Sequence, residues 1–170
     1  MGTTVRIDKA IRLRQKASCR WRFPERALHV VDIENLAGAP NPSLVQVNEV
    51  QDWYMTRLGF GADDQVVMAS SHLGFLNAAL GWPHARYRVR SGPNGADHEL
   101  LDVLEHEDVA ARFGRVVIGS GDWRFSRAAA SLAERGVRVT VVSRRGSLAA
   151  VLARAAQDVV YLDLPRAAAA

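Results

Sequence analysis

The chain has 170 residues, of which 48% are hydrophobic and 24% charged, a composition typical of one globular domain. No apolar run approaches the roughly 20 residues that span a bilayer, and the first residues lack the apolar core of a signal peptide. The single cysteine, Cys19, excludes an internal disulfide and a thiolate zinc site. We therefore expect a cytoplasmic protein with no membrane partner.

The positive charge is concentrated at the start of the chain. Residues 1–26 contain eight Lys or Arg and two acids, whereas the remaining residues contain 14 Lys or Arg and 16 acids. Such a basic segment either contacts phosphates or is a solvated extension. Both lysines of the chain, Lys9 and Lys16, lie within it. A mechanism that needs a lysine within the fold is therefore excluded.

Apolar runs with a period of two alternate with stretches of helical period from residue 27 onward. This pattern predicts strands at 27–33, 65–69, 85–89, 115–118, 137–142 and 159–162. It predicts helices at 44–58, 72–80, 97–106, 122–136 and 147–156. Repeated strand–helix alternation predicts an α/β fold with three layers, α/β/α, around a mostly parallel sheet.

Acidic residues follow several of these strands. Asp32 ends the first strand, Asp97 opens the helix after the third, and Asp122 follows the fourth. Because ligands bind outside the carboxyl ends of parallel strands, we expect these acids to converge there. Converging carboxylates repel one another, and Mg²⁺ or Mn²⁺ relieves that repulsion. The pattern predicts metal-assisted phosphodiester hydrolysis, unless Asp97 and Asp122 are ordinary helix caps.

Four motifs occur in a fixed order between residues 27 and 163: HVVDIENL, NGADHELLDVL, VVIGSGDWRFSRAAASLAERGVRVTVVS and AQDVVYL. Together they resemble the NYN domain family, a branch of the PIN-like ribonucleases. The resemblance implies a PIN-like Rossmannoid domain over 27–163 and a Mg²⁺- or Mn²⁺-dependent endoribonuclease acting on single-stranded or structured RNA. Residues 1–26 are then a basic extension and 164–170 a C-terminal tail. A homodimer is compatible with the sequence.

The resemblance also implies roles for individual residues. Asp32, Asp97 and Asp122 would be the catalytic metal ligands. Asn35 would be the catalytic polar partner in the DxxN element, and Ser120 would hold the SGD turn or a bound phosphate.

Two further acids are similar in position to acids of the family. Asp102 would be an additional metal ligand, although it lies about 140° around the helix from Asp97. Asp158 would either complete the cluster or cap the last strand.

The motif SGDWRF departs from the family, which often has a second acid where this chain has Arg124. Arg124 either grips the scissile phosphate or marks a weakened or silent module that binds RNA or a protein partner. Arg86, Arg88 and Arg90 alternate along the third strand and so share one face. This row either tracks an RNA backbone or protects an edge strand from aggregation. Trp123 is the tryptophan best placed to stack on a base.

Other enzyme classes on similar sheets fit the sequence less well. Haloacid-dehalogenase-like phosphatases and phosphoacceptor receiver domains need a lysine within the fold. A P-loop NTPase needs GxxxxGK[ST], and a dinucleotide-binding domain needs GxGxxG where this chain has DIENLAG.

Overall fold

A computed structural model describes residues 26–164, so nearly all of the basic segment 1–26 and of the tail 164–170 lies outside the described residues. The strands are β1 (Ala27–Asp32), β2 (Gln65–Ser70), β3 (Arg86–Val89), β4 (Arg115–Gly119), β5 (Arg138–Arg144) and β6 (Asp158–Leu162). They form one sheet in the order β3-β2-β1-β4-β5-β6, and every neighbouring pair is parallel. The predicted α/β fold is confirmed, and the sheet is parallel throughout.

The described residues form the helices α1 (Ile33–Ala37), α2 (Leu44–Leu58), α3 (Phe75–Gly81), α4 (Gly95–His106), α5 (Val109–Arg112), α6 (Ser126–Glu134) and α7 (Ala150–Ala155). A 3₁₀ turn, Trp123–Phe125, precedes α6. Helices α1–α3 pack on one face of the sheet and α4–α7 on the other. None of these helices is both long and apolar enough to cross a membrane.

The central strand β1 shows why the sheet needs helices on both faces. All six of its residues are buried. Leu28 and Val30 point into the core shared with α4, whereas Val31 points into the core shared with α1 and α2. A strand that is buried on both faces is characteristic of a parallel sheet.

Two short helices, α1 and α5, were not predicted from the sequence. The first strand ends at Asp32 rather than at residue 33, because the Asp32 carboxylate accepts a hydrogen bond from the Asn35 N–H at 3.1 Å and caps α1. Gly38, with φ at 71°, ends α1 after little more than one turn. Helix α4 begins at Gly95, so Asp97 lies inside its first turn and is not its N-cap.

The strand order creates a crevice at the centre of the sheet. Strands β1 and β4 are neighbours, but the chain continues from β1 toward β2 and from β4 toward β5. Connections that leave in opposite directions open a gap at the carboxyl ends of these two strands, which is where open α/β sheets bind ligands. The fold therefore places Asp32 and the Gly119–Asp122 turn beside this gap.

The buried imidazole of His29 belongs to a polar network on β1. Its Nδ1 lies 3.1 Å from the Tyr54 hydroxyl, its Nε2 lies 3.5 Å from Asp64 Oδ2, and its ring stacks on Phe60 with centroids 4.3 Å apart. Burial lowers the pKa of His29 to about 4, although Asp64 partly opposes that shift.

We expect His29 to stay neutral in the folded protein down to about pH 5, because its charged form is poorly solvated. The unfolded chain binds this proton near pH 6.5, so the contribution of neutral His29 to stability is lost as the pH falls from 6.5 toward 4. NMR titration of the imidazole Cε1–H signal measures this directly. The same signal in urea should titrate near pH 6.5, and a folded-state midpoint near 6.5 would contradict the prediction.

Candidate active site

Four acids line one pocket at the carboxyl end of the sheet. Asp32, Glu34, Asp97 and Asp122 border a cavity of about 170 Å³, which we call the acidic pocket. Asp32 comes from the end of β1, Asp97 from the first turn of α4, and Asp122 from the turn after β4. The structure thus brings together the three acids that the sequence placed at strand ends.

Asp32 and Asp97 form the buried centre of the acidic pocket, and each is 6% exposed. Burial raises the pKa of Asp32 to about 7, and the neighbouring acids Asp97 and Glu34 raise it further against the hydrogen bond from the Asn35 N–H. Burial and Asp122 also raise the pKa of Asp97, against the pull of Arg124. Both carboxyls line the acidic pocket, and the charge of Asp97 helps to raise the pKa of Asp32, so two ionised carboxylates are disfavoured there.

Asn35 and Ser120 fix the turn that carries Asp122. The Asn35 side-chain oxygen accepts a hydrogen bond from the Gly121 N–H at 3.0 Å, which ties α1 to the turn after β4. The Ser120 hydroxyl accepts one from the Asp122 N–H at 3.3 Å. Ser120 is completely buried, so its contacts are those of a residue that holds the turn. We therefore remove Ser120 from the residues expected to touch a substrate phosphate.

Arg124 contacts two acids of the pocket. Its Nη1 lies 2.8 Å from Asp122 Oδ2 and 3.8 Å from Asp97 Oδ2. Its backbone N–H also donates to Asp122 Oδ1 at 2.9 Å, so both oxygens of Asp122 are engaged by Arg124. A cation thus stands where the family resemblance led us to expect another acid.

The other two candidate acids lie outside the acidic pocket. Asp102 is on the side of α4 that faces β3, where its Oδ2 lies 2.7 Å from Arg88 Nη2. Five residues of helix turn it away from Asp97, so we remove it from the expected ligands. Asp158 begins β6 and pairs with Arg138 at 2.8 Å, at the amino end of the strand. The opposite ends of the strands hold the acidic pocket, so Asp158 does not complete the cluster.

Two members of the arginine row lie on the edge strand β3 and the third directly follows it, and all three are within 4 Å of an acid. Arg86 pairs with Glu107 at 2.7 Å. Arg88 pairs with Asp102 and also lies 3.5 Å from Glu99. Arg90 is 3.7 Å from Glu99 and also lines the acidic pocket. The row expected to track RNA is therefore reduced to Arg90 at the pocket itself.

Glu34 is a pocket residue to which the sequence argument gave no role. Its Oε1 accepts a hydrogen bond from the Ser71 N–H at 2.7 Å, which joins α1 to the end of β2. Its position two residues after Asp32 is the signal that could have identified it, because α1 returns both side chains to the same edge of the sheet.

The oxygens of the acidic pocket suit a hard divalent cation. Among the described residues, no group of three or more His, Cys, Asp or Glu side chains is already arranged around a metal position. Mg²⁺, however, is usually held by one or two carboxylates and several waters. The buried carboxyls of Asp32 and Asp97, which line the same pocket, supply that number of ligands. By donor chemistry, the residues fit Mg²⁺ or Mn²⁺.

A larger cavity lies at the opposite end of the sheet. It has a volume of about 570 Å³ and is lined by Phe60, Gln65, Trp82 and neighbouring residues at the amino end of β2. We place the candidate active site in the smaller acidic pocket, because open parallel sheets bind their ligands at the carboxyl ends of the strands.

The fold and site define a doubly wound α/β protein with an acidic pocket at its topological switch point. A family model described as the NYN domain matches residues 61–163, which is more than half of the chain. The protein belongs to the NYN domain family, as its motifs suggested. The matched range includes Asp97 and Asp122, but it begins after β1, so Asp32 and Asn35 lie outside it.

A solved structure supports the same fold. The chain is similar to a protein of unknown function from Vibrio parahaemolyticus RIMD 2210633, with a TM-score of 0.52 and 17% sequence identity. The similarity covers 85% of this chain and 96% of that one. No curated protein matches the sequence.

Proposed function

We propose that the protein is a Mg²⁺- or Mn²⁺-dependent endoribonuclease that hydrolyses RNA phosphodiester bonds in the acidic pocket. The proposal depends above all on the position of two buried carboxyls, those of Asp32 and Asp97, in one pocket at the switch point of the sheet. Membership of the NYN domain family supports a nuclease-like function. A bound divalent ion would supply an activated water and neutralise charge on a phosphoryl oxygen.

The residues around the pocket have distinct roles in this proposal. Asp32 and Asp97 bind the cation, and Asp122 provides a third carboxylate at the rim, where its side chain is 22% exposed. Asn35 orients the turn of Asp122 through the Gly121 N–H. Arg90, whose side chain is 57% exposed at the pocket wall, is placed to attract the RNA backbone.

Trp123 offers a surface for an RNA base. It follows Asp122 directly and is 59% exposed, although large aromatic side chains are usually buried. Bases of single-stranded RNA stack on such side chains. We therefore propose that single-stranded RNA is bound with one base against Trp123.

A second candidate function is a silent NYN module that binds RNA without cleaving it. The observation that favours it is the contact of Arg124 with Asp97 and Asp122, because a cation in this position opposes metal binding. In this alternative Arg90 and Trp123 still bind RNA, but no bond is broken.

Cleavage of a 5′-labelled single-stranded RNA in millimolar Mn²⁺ separates the two candidates. We expect the wild type to cleave and Asp32→Asn and Asp122→Asn each to lose roughly 100-fold or more in rate, since each removes a charge that stabilises the reaction. Asp102→Asn is the matched control and should keep wild-type activity, because Asp102 lies outside the pocket. Equal residual cleavage by the wild type and both pocket variants would contradict the nuclease proposal and leave the RNA-binding module.

A further inference from the structure

Arg124 lies close to the place that a pocket cation would take. Its guanidinium contacts Asp122 at 2.8 Å and Asp97 at 3.8 Å, and its side chain is 29% exposed. Both acids point oxygens toward one nitrogen, Nη1. A divalent ion bound between the two carboxylates would neutralise the same negative charges that the guanidinium neutralises.

The sequence makes this contact local and therefore easy to form. Arg124 follows Asp122 by two residues, and its own N–H donates to the Asp122 carboxylate at 2.9 Å. The 3₁₀ turn Trp123–Phe125 fixes that backbone. The ion pair with Asp122 therefore depends only on the folding of this turn, whereas the contact with Asp97 also depends on α4.

The Arg124 guanidinium also contacts an aromatic ring. Its Cζ lies 5.3 Å from the centroid of the exposed Trp123 ring. A cation over an indole ring is stabilised by the negative face of the ring. The Trp123 ring therefore stabilises the same guanidinium that contacts Asp122 and Asp97.

We propose that Arg124 is a built-in counter-cation of the acidic pocket, and that a divalent metal ion has to displace it from Asp97 and Asp122 in order to bind. The inference rests on the metal site of the proposed function. It adds that the affinity of this protein for metal is set by competition with its own arginine.

Competition predicts that loss of the arginine charge strengthens metal binding. In the full-length chain without RNA, isothermal titration with Mn²⁺ should give about tenfold tighter binding to Arg124→Gln than to the wild type, because one positive charge leaves the site. Arg124→Lys keeps the charge and should stay within a few-fold of wild-type affinity. Arg127→Gln removes an exposed arginine on α6 and should leave the affinity unchanged.

A second measurement on the wild type does not depend on any variant folding. Titration with diamagnetic Mg²⁺, followed by the side-chain Nε–Hε NMR signal of Arg124, should show a saturable shift as the guanidinium leaves the acids. A signal that stays unchanged at saturating Mg²⁺ would overturn the inference.

The binding outcomes separate this inference from the nuclease proposal. Tighter Mn²⁺ binding by Arg124→Gln supports competition whether or not the wild type cleaves RNA, since no RNA is present. Binding that is equal to or weaker than that of the wild type overturns competition, even if Mn²⁺-dependent cleavage is observed. The absence of binding by every variant at millimolar Mn²⁺ overturns both.

Discussion

The substitution Asp32→Asn is expected to stabilise the metal-free protein at pH 8, although it removes a proposed metal ligand. Asp32 is 6% exposed and lies beside Asp97 and Glu34, so its ionised form is both poorly solvated and repelled. Asparagine has nearly the same shape and carries no charge. It can also accept the hydrogen bond from the Asn35 N–H that caps α1.

The pH dependence of stability determines whether Asp32→Asn stabilises or destabilises the protein. Burial raises the pKa of Asp32 to about 7 in the folded chain from its ordinary value of 3.8. An acid whose pKa rises on folding costs stability once it ionises, so the wild type should lose stability as the pH rises from about 4 to 7. Each pKa unit corresponds to about 1.4 kcal/mol. We expect Asp32→Asn to gain on the order of 2 kcal/mol at pH 8 and little at pH 4.

Thermal unfolding at pH 4 and pH 8 in chelator tests this. At pH 8 the Tm of Asp32→Asn should exceed that of the wild type by roughly 4–8 °C. Added Mg²⁺ should raise the Tm of the wild type but not that of the variant, because a ligand that binds only the folded state stabilises it. Asp102→Asn serves as the control, since Asp102 is paired with Arg88 outside the pocket. A lower Tm for Asp32→Asn at both pH values would contradict the prediction, because it would mean that the Asp32 carboxyl stabilises the fold.

The sequence predicted that the three converging carboxylates repel one another, but the structure pairs Asp122 with a cation. Both oxygens of Asp122 are engaged by Arg124, one by the backbone N–H and one by the guanidinium. Asp122→Asn therefore loses an ion pair as well as a repulsive contact. No stabilisation is expected from it.

The convergence of Asp32, Asp97 and Asp122 could be predicted because it follows from topology. Parallel strands end at one edge, and residues that follow those strands meet there whatever the details of packing. Arg124 was expected near this edge for the same reason. Its contacts with two acids depend on a 3₁₀ turn three residues long, which hydrophobic periodicity is too coarse to indicate.

Two candidate acids lie outside the acidic pocket, and they show that a motif match does not by itself place a side chain in a site. Asp102 lies on the same helix as Asp97, but a helix turns about 100° per residue. The face of the helix on which a residue lies therefore determines its neighbours more than its distance along the sequence does. Asp158 stands at the start of a strand rather than at its end. Helix α1 was missed because its five residues are stabilised by the Asp32 cap and the Gly38 turn rather than by periodicity.

Gly121→Ala is expected to cause a large loss of stability, because this residue is enclosed on all sides. A Cβ at this position would collide with the Ser147 carbonyl oxygen and would lie 2.5 Å from the Ser143 hydroxyl oxygen. The backbone cannot shift freely to avoid these atoms. Its N–H donates to Asn35 at 3.0 Å, and its carbonyl accepts from the Ala149 N–H at 2.9 Å.

The size of the loss follows from overpacking into a fixed turn. Such substitutions typically cost 1–3 kcal/mol, and collision with a backbone atom places this one near about 3 kcal/mol. For a domain of this length that corresponds to a fall in Tm of roughly 6–12 °C. Because the same turn carries Asp122, Mn²⁺ binding should weaken together with stability.

Gly61→Ala is the matched control for this experiment. Its added Cβ would meet Asp64 Oδ1 at 3.4 Å, an ordinary van der Waals contact. Thermal unfolding should therefore give a Tm close to that of the wild type for Gly61→Ala and a much lower one for Gly121→Ala. A Gly121→Ala protein that unfolds within about 2 °C of the wild type, a shift worth about 1 kcal/mol or less, would show that the turn yields to the methyl group. The Asn35–Gly121 hydrogen bond would then be too weak to fix the position of Asp122.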